Sequence, residues 1–95
     1  MRTIWKYEIK VIDEQTLELP EGAEILCLQM QTGTPCIWAM VDTEEERKET
    51  ITIRLFTTGH PTGIPDGLMY VGTFQMPVVE YVCHAFYSRK SEMIN

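Results

Sequence analysis

Apolar and polar residues alternate with a period of two along almost the whole chain, and no segment sustains the 3.6-residue period of an amphipathic helix. Period two is the mark of a strand with one buried face and one wet face. In the first such segment Trp5, Tyr7, Ile9 and Val11 share a face, with Lys6, Glu8 and Lys10 on the other. Leu17 and Leu19 then alternate with Glu18 up to a Pro20-Glu21-Gly22 turn. Ala23 to Gln31 sets Leu26, Leu28 and Met30 against Ile25, Cys27 and Gln29, and Thr32-Gly33 suits a tight hairpin. Pro35 opens a strand, Cys36 to Val41, that is apolar on both faces and is expected to be the central, most buried one. The charged stretch Asp42 to Glu49 is expected to be a solvated hairpin connection with room for one helical turn. Thr50 to Thr57 points Ile51, Ile53 and Leu55 inward and Thr52, Arg54 and Phe56 outward. Leu68 to Gln75 is a strand interrupted by Gly72, which marks a bulge or a close-packing point. Met76-Pro77 leads into a last long strand, Val78 to Tyr87, and the tail from about Ser88 is expected to fray or form a short helix. The prediction is therefore all-β: an antiparallel β-sandwich or small open barrel of about seven strands, sandwich favoured, in a single domain over residues 1–95.

Composition narrows the function classes. A content of 44% hydrophobic and 23% charged residues is that of a folded domain rather than a disordered chain. No apolar run approaches the roughly 18 residues of a membrane helix, and the amino terminus reaches charge and alternation at once, unlike a signal peptide. Three cysteines, Cys27, Cys36 and Cys83, form no CxxC pair and read as reduced thiols, which points to the cytoplasm. Neither a metal site nor a cofactor is expected: Cys27, Cys36, Cys83 and His84 have no zinc-type spacing. A formal net charge of -6 disfavours nucleic-acid binding, which needs clustered Lys and Arg. The large rings of Trp5, Trp38, Tyr7, Tyr70, Phe74 and Tyr81 are expected to fill the core, with one or two left for a subunit interface. A domain this small gains by burying a face against its own copy, so a homo-oligomer is expected.

The run Thr57-Thr58-Gly59-His60-Pro61-Thr62-Gly63-Ile64-Pro65-Asp66-Gly67 interrupts this strand pattern. Pro fixes φ while Gly permits conformations that other residues avoid, so alternating the two gives a shaped loop. Loops of this length in compact domains are usually functional or disordered. Thr57, Thr58 and Gly59 offer hydroxyls and N–H groups as they leave the strand, beside His60. Arg54 and Phe56 on the adjoining outer face put a guanidinium next to a ring, a pair able to grip a nucleobase and a phosphate. The candidate ligand-binding residues are therefore Arg54, Phe56, Thr57, Thr58, Gly59 and His60. Catalysis is not expected. Cys83 and His84 are strand neighbours and point to opposite faces, and His60 with Asp66 offers only a base and an orienting group. No phosphate-loop glycine pattern is present.

Thr3 to Tyr7, Leu19 to Leu26, Gly33 to Ala39, Thr58-Gly59-His60-Pro61 and Tyr70 to Gln75 together resemble a family of small proteins carried by tailed phages and prophages. The stretch Gly63 to Gly67 and the tail depart from that pattern. The resemblance implies a setting, the cytoplasm of an infected bacterium, and brings no activity or site residue with it. In that setting the expected function is a non-enzymatic binding protein that counters host defence by sequestering a small nucleotide-type signal. The alternative is an acidic inhibitor that docks on a host or defence protein through Glu44, Glu45 and Glu46.

Overall fold

A computed structural model describes residues 1–77 and 80–89, which form seven strands and, among the described residues, no helix. They are β1 (Arg2–Glu8), β2 (Glu14–Pro20), β3 (Glu24–Gln31), β4 (Thr34–Asp42), β5 (Lys48–Thr57), β6 (Met69–Gln75) and β7 (Val82–Arg89). The strands make two antiparallel sheets, one in the order β1-β4-β3 and the other β2-β5-β7-β6. The sheets pack face to face as the expected sandwich, with Ile37, Ala39 and Val41 of β4 and Ile51, Ile53 and Leu55 of β5 in one core cluster. A fully buried Ile or Leu in such a core contributes about 1.5–3 kcal/mol.

Three local features set the shape. Thr32 and Gly33 both have positive φ, 51° and 81°, the requirement of a type I′ hairpin between β3 and β4. Register shifts between Ile25 and Cys27 in β3 and between Tyr70 and Gly72 in β6 mark two bulges. The bulged strands meet at one corner of the sandwich, where a Cβ on Gly72 would lie 3.1 Å from Leu28 Cβ. The expectation for Gly72 thus holds in both its forms.

Several boundaries differ from the sequence reading. The β3 bulge breaks strict alternation, so Ile25 joins Leu28 and Met30 at the core while Leu26 is exposed. Asp42 to Glu49 is no hairpin connection: it carries the chain from β4 in one sheet to β5 in the other. Trp5, Tyr70 and Tyr81 are exposed rather than core, whereas Phe74 is buried. Val11 lies beyond the end of β1 and is also exposed. The last strand begins at Val82, and the predicted start at Val78 lies outside the described residues. Ser88 and Arg89 belong to β7 and not to a frayed tail. Arg89 Nη1 bonds Glu49 Oε2 at 2.5 Å, and Arg89 Nη2 donates to the Ala23 carbonyl at 2.7 Å. Glu49 Oε1 in turn accepts from the Gly22 N–H at 2.6 Å, which ties the β2–β3 turn to both central strands. The remainder of the tail, 90–95, lies outside the described residues.

The larger sheet also accounts for the long Gly/Pro run. β5 and β6 are each antiparallel to β7, which lies between them, so they are parallel to one another. A parallel pair cannot be joined by a tight turn. The chain leaves β5 at Thr57, level with Cys83, and must enter β6 at Met69, level with Tyr87. That requires a displacement of about 14 Å along the strands and about 10 Å across them. Residues 58–68 make this crossover over the outer face of β7.

Candidate ligand-binding site

The crossover covers a surface whose composition follows from period two. Strand register puts Thr52, Arg54 and Phe56 of β5 beside Ser88, Phe86 and His84 of β7. Tyr70 and Thr73 of β6 come next, opposite Phe86 and His84. Phe56, Phe86 and Tyr70 form a row of edge-to-face rings, with centroids 5.8 Å apart for Phe56–Phe86 and 5.5 Å for Tyr70–Phe86.

Two turns shape the crossover above this row. The His60 N–H donates to the Thr57 carbonyl at 3.1 Å, with Gly59 at φ 72°, as a type II turn requires. The Gly63 N–H then donates to the His60 carbonyl at 3.0 Å. His60 sits edge-on to Phe56 at 5.3 Å, and its Nδ1 lies 3.0 Å from the Thr62 hydroxyl. The loop is thus fastened to the sheet at its start and stands off beyond it.

Between loop and sheet lies a cavity of about 420 Å³, widely open to solvent. Tyr70, Phe86 and His84 line it from the sheet, and Thr58, His60 and Ile64 line it from the loop. This volume falls within the range of about 300–1,000 Å³ occupied by small-ligand sites. Of the smaller recesses around it, two concern Phe56 and Arg54. One, of about 230 Å³, holds Arg54, Thr52, Glu14 and Asp66 under the second half of the crossover. The other, of about 250 Å³, lies on the far side of His60 against Val11, Ile12, Tyr81 and Cys83.

A chain of hydrogen bonds runs along the wall of the main cavity. Tyr70 OH lies 2.5 Å from Thr73 Oγ1, Thr73 Oγ1 2.9 Å from His84 Nδ1, and His84 Nε2 2.8 Å from Thr58 Oγ1. A neutral imidazole has one donor and one acceptor nitrogen, so two proton arrangements satisfy the chain. With Nδ1 accepting from Thr73, Nε2–H donates to Thr58 and leaves the Thr58 hydroxyl hydrogen for a ligand acceptor. With the protons reversed, Thr58 donates to Nε2 and offers a ligand only its lone pair. The cavity can therefore match either a donor or an acceptor at one position.

The expected site residues divide among these spaces. Thr57, Thr58, Gly59 and His60 line the 420 Å³ cavity together. Arg54 and Phe56 share the sheet face but not that cavity. The Arg54 guanidinium lies 5.1 Å over the Phe56 ring, and its Nε is 3.8 Å from Glu14, the residue opposite it in register. Phe56 is buried, capped by His60 and braced against Phe86. His84, Phe86, Tyr70 and Ile64 were not among the expected residues. Alternation alone puts His84 and Phe86 on one face of β7; that this is the face of Arg54 depends on the β5–β7 register, which the sequence does not carry.

Burial pushes the Cys83 thiol up, away from the thiolate form that a nucleophile or metal ligand needs. Among the described residues, no group of three or more His, Cys, Asp or Glu side chains is placed to hold a metal ion. Nor, among them, is any helix long and apolar enough to cross a membrane.

Fold and site together define a two-sheet antiparallel β-sandwich that carries an aromatic-floored cavity under a crossover loop on the outside of its larger sheet. The chain belongs to the family Domain of unknown function (DUF7352), which it matches over residues 1–95. No curated protein and no solved structure matches it.

Proposed function

We propose that this protein is a non-enzymatic binder that captures a small ligand with a planar heteroaromatic end, the base of a nucleoside or nucleotide. The observation that carries the reading is the 420 Å³ cavity, with Phe86 and Tyr70 on its floor and His60, His84 and Thr58 on its walls. Rings at the floor favour a flat ligand by stacking, and the reversible hydroxyl–imidazole chain accepts the mixed donors and acceptors of a base edge. A ligand of low charge is favoured over a polyphosphate, because Arg54 lies outside this cavity, in a neighbouring recess that Glu14 and Asp66 also line. In the setting that the resemblance to phage proteins implies, such a binder withdraws a host defence signal from its receptor. Affinity and a slow off-rate suffice for that role.

Direct docking on a basic host protein is the weaker reading. Asp42 and Glu44 lie 3.3 Å and 3.7 Å from the N-terminal ammonium, and Glu45 pairs with Arg47 at 3.1 Å. Three acidic side chains of this stretch therefore already have partners within the chain.

Native mass spectrometry of the protein purified from bacterial cells, followed by calorimetric titration with nucleosides and nucleotides, tests the proposal. The expected result is one bound species of nucleoside or nucleotide mass per chain. Phe86→Ala should lower its affinity at least tenfold, while Arg54→Ala should change it less than threefold. A protein that arrives ligand-free and binds none of the panel would overturn the reading.

A further inference from the structure

The four sheet edges are not equivalent. The edges of β3 and β6 meet at the corner where Gly72 approaches Leu28. β2 presents Glu14 and Glu18 and ends on Pro20, residues that discourage further pairing. β1 carries charges as well, Arg2, Lys6 and Glu8, but they are of both signs and can pair with those of a copy. It is the terminal strand of its sheet, contains no proline, and keeps unbroken register with β4 from Arg2↔Asp42 to Glu8↔Cys36. Half of its backbone N–H and C=O groups therefore face outward in a straight row.

Apolar surface collects at the same edge. Ile4 is 54% exposed on the outer face. Trp5 pairs in register with the fully buried Ala39 on the core side, yet it is itself 40% exposed. An inward-facing tryptophan left open in this way means that the four-stranded sheet does not extend over β1.

The charges of β1 are self-complementary. The strand reads Arg2-Thr3-Ile4-Trp5-Lys6-Tyr7-Glu8, positive at its start and negative at its end. Placed antiparallel to a copy of itself about a two-fold axis at Trp5, it sets Arg2 opposite the copy's Glu8 at both ends. The same register puts Ile4 opposite the aliphatic stem of Lys6, Thr3 opposite Tyr7, and Trp5 opposite Trp5 on the core side. Each is a favourable cross-strand pair, and a two-fold contact of this kind closes on itself.

We infer that β1 pairs with β1 of a second copy in this register, joining the two three-stranded sheets into one continuous six-stranded sheet. The partner is chosen by the chemistry of one strand and is independent of the ligand cavity, which lies on the other sheet. The homo-oligomer expected from the size of the domain is in this form a dimer.

Light scattering behind a sizing column at about 50 µM tests the inference, with circular dichroism to verify folding of each variant. Wild type should run at about twice the 11.0 kDa of one chain. Glu8→Arg opposes two arginines and Arg2→Glu opposes two glutamates, so each single variant should weaken the dimer at least tenfold. Combining the two substitutions in one chain restores opposite charges and should restore the dimer. Mixing the two single variants should give a heterodimer, since every opposed pair is then complementary. A monomeric wild type would overturn the inference. So would a dimer indifferent to both charge changes, which would place the contact elsewhere on the molecule.

Discussion

His84 is the side chain on which the local order of the site depends. It bridges Thr58 at the start of the crossover to Thr73 on β6 through its two ring nitrogens, across the width of β7. His84→Leu keeps the volume and removes both bonds. Each such bond is worth about 0.5–1.5 kcal/mol, toward the low end where water can replace it. The substitution is expected to cost about 1 kcal/mol in urea unfolding and, more tellingly, to release the loop. Hydrogen exchange at the His60 and Gly63 amides, both bonded within the crossover turns, should quicken in His84→Leu while core amides of β5 keep their protection. Unchanged exchange at these two amides would show that Phe56 and His60 hold the loop without the histidine bridge. At this scale the sequence was a partial guide. It singled out Thr58, Gly59 and His60 because Gly and Pro signal their positions locally. Tyr70, His84 and Phe86 carry no local signal; they reach the cavity only through pairing between strands far apart in sequence.

At the scale of elements, the strands were legible because period two is imposed by burial of one face, and burial is written into residue type. The inward set Ile51, Ile53 and Leu55 follows from that rule directly, and the hairpin at Thr32-Gly33 from the positive φ that glycine permits. Bulges break the rule: one extra residue moved Ile25 to the core and Leu26 out. Sheet membership was equally hidden, which is why the acidic stretch read as a hairpin although it joins two sheets. The parallel relation of β5 and β6 explains the length of the Gly/Pro run by topology, so its length alone was no sign of function. What distinguishes it is the space it leaves beneath. The corner between β3 and β6 gives the sharpest test of packing. Gly72 already faces Leu28 at a hypothetical Cβ distance of 3.1 Å, so a branched side chain there must push the two sheets apart. Gly72→Val is expected to destabilise by about 1–3 kcal/mol despite the better strand propensity of valine. A urea midpoint equal to that of wild type would mean that the corner yields freely.

The molecule as a whole has a stability window set from opposite sides by different groups. On the acid side, Asp42 is held below the usual carboxylate range by the Glu44 N–H and the N-terminal ammonium, and Glu45 by its bonds to Arg47. Lowered carboxyl pKa values contribute stability that is present above the unfolded values and lost as pH falls through the folded ones. These groups lie at the protein surface, so screening keeps the acid limb shallow. The alkaline limb has a different origin. Burial raises both the Cys83 thiol and the Tyr7 phenol, because the folded protein resists placing a thiolate or phenolate in its interior. For raised groups the contribution is fully present below the unfolded pKa, about 8.5 for a thiol and about 10 for a phenol, and is lost as pH rises through the folded values. Stability should therefore hold from about pH 5 to 8 and begin to fall near pH 9, ahead of any tyrosine titration. Cys83→Ala removes the first of these groups and leaves Tyr7 in place. Urea midpoints between pH 8 and 9.5 should decline in wild type and stay level in Cys83→Ala, with both proteins declining above pH 10. An identical decline of the two proteins between pH 8 and 9.5 would clear Cys83 of the alkaline limb and leave it as an ordinary core side chain of β7.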